Sequence, residues 1–158
     1  MSTVIIEGTD GGVFVNWNGK LYIITCDHCI DSKSVEVTYK NGKTERRPCV
    51  HRDEKRDVAI IKGKKHPNIN TELAEKYIPT NVTLVHHYPH RFSKVKGKTY
   101  NEDCHTCTSY CGSSGSPLYD CKGRVMGIHE SWDDETEERF LITCETLREV
   151  FKDFEITC

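Results

Sequence analysis

What this 158-residue sequence lacks narrows its class first. It has no apolar stretch of the roughly 18 residues that a membrane-spanning helix needs, so no helical span and no membrane partner are expected. Its start shows no basic-then-apolar leader pattern, which implies a soluble, non-secreted chain. Lysine and arginine number 22 against 24 acidic residues, giving a net charge of −2 with the signs mixed. Without an excess of positive charge, nucleic acid is not an expected partner. Lys94, Lys96 and Lys98 alternate along one strand-like segment and fall on one face, which reads as a solvated surface. Repeats and low-complexity tracts are also missing. Cysteine, by contrast, is plentiful at nine residues. An odd number in a chain without a leader points to reduced thiols in a cytoplasmic compartment rather than to a disulfide framework.

The most informative stretch is Gly112-Ser113-Ser114-Gly115-Ser116-Pro117. Its small residues allow a tight turn on which a serine hydroxyl and two backbone N–H groups can converge on one substrate atom. This stretch is similar to the nucleophile loop of trypsin-like peptidases. Leu21-Tyr22-Ile23-Ile24-Thr25-Cys26-Asp27-His28-Cys29 reads as an apolar strand running into a histidine, and Asp57-Val58-Ala59-Ile60-Ile61 as an aspartate leading into a buried strand. The order His, Asp, Ser is that of chymotrypsin-type enzymes and differs from subtilisins and α/β-hydrolases. The resemblance implies Ser114 as nucleophile, His28 as base and Asp57 as its orienting carboxylate. It also implies an oxyanion hole from the N–H groups of Gly112 and Ser114. Ser113 departs from vertebrate trypsins, which carry an acidic residue there; relatives of the HtrA and glutamyl endopeptidase type manage with a neutral one.

Other segments extend the resemblance over nearly the whole chain. Gly11 to Val15, Asn18-Gly19 and the Leu21 strand resemble the opening hairpin of the family, and Val35 to Lys43 alternates into an Asn-Gly turn. Two short strands flank Lys122-Gly123, and Leu147, Val150, Phe151 and Phe154 recur at helical spacing behind Thr143. The expected fold is all-β: two small six-stranded β-barrels of the chymotrypsin-like kind with a C-terminal helix. The chain would form one peptidase domain, with a first barrel at about 1–65, a connection at about 66–80, a second barrel at about 81–144 and a helix at about 145–155. One helical turn is expected at Thr71–Tyr77. Whether a partner segment completes the first barrel stays open.

His129 sits in Gly127-Ile128-His129, similar to the Gly-Ile/Met-His wall of Glu- and Gln-specific peptidases. With the hydroxyls of Thr108 and Ser109 opposite, this implies a peptide substrate with Glu or Gln before the scissile bond. Some viral relatives carry a structural zinc, and Cys121, His86, His87 and His90 would be the candidates to hold one. Cys104-x-x-Cys107 lacks a second pair at zinc spacing, so neither metal nor cofactor is expected. Compactness is compatible with a viral polyprotein-processing protease acting in the host cytoplasm. The competing class is a catalytically silent, protease-like module that only binds peptides.

Overall fold

The computed structural model describes residues 2–64, 69, 71–88 and 91–157. Strands dominate, in the order β1 (Thr3–Ile6), β2 (Asp10–Trp17), β3 (Lys20–Cys26), β4 (Ser34–Thr38), β5 (Thr44–Asp53) and β6 (Val58–Lys62), then β7 (Asn81–His87), β8 (Phe92–Tyr100), β9 (Cys104–His105), β10 (Pro117–Tyr119), β11 (Val125–Trp132) and β12 (Arg139–Thr143). One helix, α1 (Cys144–Thr157), follows. The first six strands close into a barrel in the order β1-β2-β3-β6-β5-β4, and the last six into a second in the order β10-β11-β12-β9-β8-β7. This is the all-β, chymotrypsin-like double barrel with a C-terminal helix. Pairing of Ile5 with Thr38 and Ile6 with Val37 seals the first barrel, so this chain supplies all six of its strands.

Strands β2, β3 and β6 read as nearly continuous apolar runs because both their faces are buried. Successive side chains on a strand point to opposite sides. Phe14, Ile23, Ala59 and Ile61 fill the first barrel with Val4, Ile6, Val35 and Val37. Their neighbours Val13, Val15, Ile24, Val58 and Ile60 instead join Leu84, Leu118, Val125, Ile128 and the helix in a second, larger core. That shared core fixes the barrels against each other. β5 is different: it alternates exposed and half-buried residues along its whole length. Pro48, which has no N–H to give, pairs with Ser34 at the end of β4, next to a bulge between Cys49 and His51 where β5 is paired with β6.

Helix α1 starts where the Thr143 hydroxyl accepts the Thr146 N–H at 3.3 Å. Its buried face carries Leu147, Val150, Phe151 and Phe154. Phe151 stacks on Trp17 at 4.9 Å between ring centroids, and Phe154 meets Tyr22 edge-on at 5.5 Å. The helix thus reaches back from the second barrel to the first. No helix among the described residues is long and apolar enough to cross a membrane.

Segment 71–77 corrects one expectation, for it holds no helical turn. Its backbone bonds are taken by the barrels instead: Asn16 N–H donates to the Thr71 carbonyl, Val125 N–H to that of Glu72, and Ala74 N–H to that of Val125. Leu73 bridges to Val125 in parallel. Strand edges that would otherwise be unpaired outcompete the local helix propensity of Glu72, Leu73 and Ala74. Residues 66–68 and 70 of the connection lie outside the described residues.

Candidate active site

His28 and Asp57 are brought together by strand register. β3 pairs with β6 so that Cys26 lies opposite Val58, which places the residues just beyond each strand end side by side. Asp27 to Cys29 turn through a short 3-10 helix. The Asp27 N–H donates to the Asp57 carbonyl at 3.0 Å, and the His28 N–H to Asp57 Oδ1 at 2.8 Å. His28 Nδ1 then meets Asp57 Oδ2 at 2.7 Å. A carboxylate only accepts, so this contact puts the imidazole proton on Nδ1 and leaves Nε2 with a lone pair. Asp57 itself has φ 60°, a left-handed conformation that aspartate tolerates better than most residues. Both flanks are braced: Arg52 Nε bonds Asp27 Oδ1 at 2.6 Å, and Arg56 bridges Asp53 and Asp153 of α1.

The serine loop is held from three sides. Gly11 N–H of β2 donates to the Ser114 carbonyl, and Gly115 N–H to the His129 carbonyl, each at 2.8 Å. Gly115 has φ 84°, and a Cβ there would lie 2.1 Å from the Gly11 carbonyl oxygen, so no other residue fits without moving β2. Gly112 has φ 93°, again a glycine conformation. Neither the Gly112 nor the Ser114 N–H has an acceptor among the hydrogen bonds of the described residues. The Ser114 hydroxyl donates to the Glu130 carbonyl at 3.2 Å. Ser114 belongs to the second barrel, yet its carbonyl lies 4.0 Å from the thiol of Cys29, the neighbour of His28.

Ser113 is 2% exposed and its hydroxyl is fully engaged. It accepts the Tyr110 N–H at 2.9 Å and meets His86 Nδ1 at 2.8 Å. Burial lowers the His86 pKa, which favours the neutral ring. The ring also stacks against Tyr110 at 5.8 Å. The loop is therefore tied to β7 by a neutral hydrogen bond where vertebrate trypsins use an ion pair. From the sequence, His86 is only a candidate zinc ligand. Its sequence signal is the alternation Val82, Leu84, His86, which puts the imidazole on the buried face of β7.

A second unforeseen residue is Glu130, directly after His129 on β11. Burial first, then a hydrogen bond to the Asp57 side chain, push its carboxyl up to about 7. A protonated Glu130 can thus donate to Asp57. Sequence gave no signal for this contact, because it depends on how the two barrels meet.

His129 is 3% exposed and belongs to a directed chain. The Cys107 N–H donates to His105 Nδ1 at 3.1 Å, and His105 Nε2 meets His129 Nδ1 at 2.8 Å. Nδ1 of His105 must accept, so its proton sits on Nε2 and is donated to His129 Nδ1. That leaves His129 with its own proton on Nε2. Desolvation is the main cause that lowers His105 to about 4 and His129 to about 3, so both rings are neutral near pH 7. Ser109 Oγ accepts from Arg139 Nε at 3.0 Å, while Thr108 is exposed.

Of the zinc candidates, Cys121 is exposed and His86 is bonded to Ser113, and among the described residues no group of metal ligands forms around them. His90 lies outside the described residues. A group of donors does form at Cys26, His28 and Asp57, whose ligand atoms lie within 4.8 Å of one another.

The family model for the trypsin-like peptidase domain matches residues 9–128. No curated protein matches this chain. Among solved structures, the inactive form of a serine-to-alanine mutant of Rv3671c from M. tuberculosis H37Rv is similar with TM-score 0.80 at 18% identity, covering 99% of this chain and 87% of that one. The serine endoprotease from Yersinia pestis is similar with TM-score 0.81 at 20% identity, covering 97% of this chain and 62% of that one. At such identities these likenesses speak for the fold, and the matched family model speaks for the lineage: the chain belongs to the trypsin-like peptidases and is a peptide hydrolase.

Proposed function

We propose that the chain is a serine endopeptidase working through His28, Asp57 and Ser114, with a preference for Glu or Gln before the scissile bond. The observation that carries the catalytic part is the 2.7 Å contact between His28 Nδ1 and Asp57 Oδ2, which leaves Nε2 free to take a proton. Ser114 turns about its χ1 from the Glu130 carbonyl toward His28, gives up its proton and attacks the peptide carbonyl. The N–H groups of Gly112 and Ser114 receive the oxyanion. His28 then protonates the leaving amine, and water activated by the same ring releases the acyl group.

The specificity part rests on the histidine chain. Because His105 donates to His129 Nδ1, His129 Nε2–H is left as a neutral donor for a side-chain oxygen of Glu or Gln. Thr108 and Ser109 add hydroxyls to that pocket. An apolar residue in the same place would leave the buried donor unpaired, at a cost of ~1–3 kcal/mol.

A serine-reactive phosphonate probe with a Glu- or Gln-like side chain tests the proposal. Covalent labelling of the wild type, abolished by Ser114→Ala while the fold is retained, is the expected result. Labelling that persists in Ser114→Ala removes Ser114 from the mechanism. No labelling of a folded wild type favours the silent peptide-binding module instead.

A further inference from the structure

Cys26 does nothing in the mechanism above, and an apolar residue would fill its place at the end of β3. Its side chain is completely buried at the edge of the larger core, where its thiol donates to the His129 carbonyl at 3.4 Å. Its thiol, an imidazole nitrogen of His28 and a carboxylate oxygen of Asp57 all lie within 4.8 Å of one another. The frame that holds them is rigid. Cys26 is paired with Val58, and two backbone N–H groups of the 3-10 turn bond to Asp57. A second thiol, Cys29, directly follows His28 and faces the Ser114 carbonyl at 4.0 Å.

We propose that Cys26, His28 and Asp57 form an inhibitory site for a thiophilic divalent cation such as zinc or cadmium. The donor set is one thiolate, one imidazole and one carboxylate, which suits these ions and not calcium or magnesium. A tetrahedral zinc with bonds of ~2.0–2.3 Å needs donors roughly 3.3–3.6 Å apart, so from their present positions within 4.8 Å of one another the three side chains must adjust on binding. Water completes the shell. The half-exposed His28 ring gives the ion its way in from solvent.

On binding, the Cys26 thiol loses its proton to solvent and its sulfur bonds the metal. The lone pair of His28 Nδ1 becomes a metal ligand in place of the N–H that faced Asp57, so the ring proton moves through solvent to Nε2. That nitrogen can then no longer accept the Ser114 proton. The ion therefore disables the base without touching the nucleophile. The inhibitory consequence rests on the catalytic role proposed for His28; the binding site itself does not.

Two readouts keep those apart, both in a buffer with a non-thiol reductant and with Cys111 and Cys121 replaced by serine. Cobalt(II) should give a thiolate-to-cobalt charge-transfer band in the parent and in Ser114→Ala. The band should be absent in Cys26→Ala and sharply reduced in His28→Ala. In hydrolysis assays, zinc and cadmium should inhibit reversibly, with chelator restoring activity. Cys26→Ala should keep basal turnover and need at least tenfold more metal for half inhibition. Should Cys26→Ala fold poorly by thermal melting, Cys26→Ser serves, since a hydroxyl does not replace the thiolate. A charge-transfer band that survives loss of Cys26, or is indifferent to loss of His28, overturns the site. Metal inhibition unchanged in Cys26→Ala overturns its link to catalysis. If the parent shows the band but hydrolyses nothing, the metal site stands and the catalytic reading falls.

Discussion

Replacing His105 tests whether the pocket donor is set by a partner one residue away from the substrate. In His105→Leu the Cys107 N–H and His129 Nδ1 both lose their partner. His129 is then free to carry its proton on Nδ1, and Nε2 turns from donor to acceptor, which repels the side-chain oxygen of Glu or Gln. Losing one such buried bond costs ~1–3 kcal/mol, or about 5- to 150-fold in kcat/KM for Glu or Gln substrates relative to a small apolar residue at that position. His105→Gln should restore most of the ratio, since its amide oxygen can accept from Cys107 and its amide N–H can donate to His129. The same pair carries a pH signature. Burial depresses His105 from 6.5 to about 4, so the unfolded chain takes up its proton first as pH falls. Stability is therefore full above the unfolded value and drains away between pH 6.5 and 4, by ~3 kcal/mol for His105 alone. Urea unfolding across that window should show the loss in the wild type and a shallower one in His105→Gln. A Glu/Gln preference that stays the same in folded His105→Leu refutes the chain of donors.

Other expectations follow from individual contacts. His86→Ala unties Ser113 and should lower kcat about 10- to 100-fold with little change in KM, a loss of roughly 1–3 kcal/mol, and His86→Gln should recover part of it; equal loss in both variants would argue against the tie. Glu130, raised from 4.5 to about 7, holds its proton longer in the folded state, so wild-type stability should fall as pH rises through that window. Glu130→Gln, which keeps a donor for Asp57 but does not titrate, should abolish that component, as seen by comparing chemical denaturation at the two ends of the window. Gly115→Ala forces a Cβ onto the Gly11 carbonyl and into a left-handed conformation, and should lower the melting temperature and phosphonate labelling together. An unaffected variant would mean that the loop and β2 are not so closely docked.

Local sequence was most informative where a contact depends on adjacent residues. The apolar runs at Leu21 and Val58 announce strands buried on both faces, and their antiparallel register brings His28 to Asp57. The amphipathic spacing of Leu147, Val150, Phe151 and Phe154 marks α1 in the same direct way. Contacts made by barrel closure left no such trace. His105 reaches His129 through β12, which pairs with both β9 and β11, and Glu130 meets Asp57 only once the barrels are docked. Thr71–Tyr77 misled in the opposite sense: its residues favour a helix locally, but strand edges distant in sequence claim its backbone.

Helix α1 sets a timetable for the enzyme. Phe151 and Phe154 clasp Trp17 and Tyr22 on the hairpin that leads to His28, and Asp153 holds Arg56 beside Asp57. During synthesis the first barrel and the serine loop leave the ribosome well before this clasp does. Until the helix arrives, Trp17 and Tyr22 lack their cover and Arg56 is held by Asp53 alone. The first barrel must wait for a segment more than 90 residues downstream of Arg56 before the helix adds its own brace beside Asp57. A growing chain therefore carries His28, Asp57 and Ser114 for some time before α1 clasps the two barrels together.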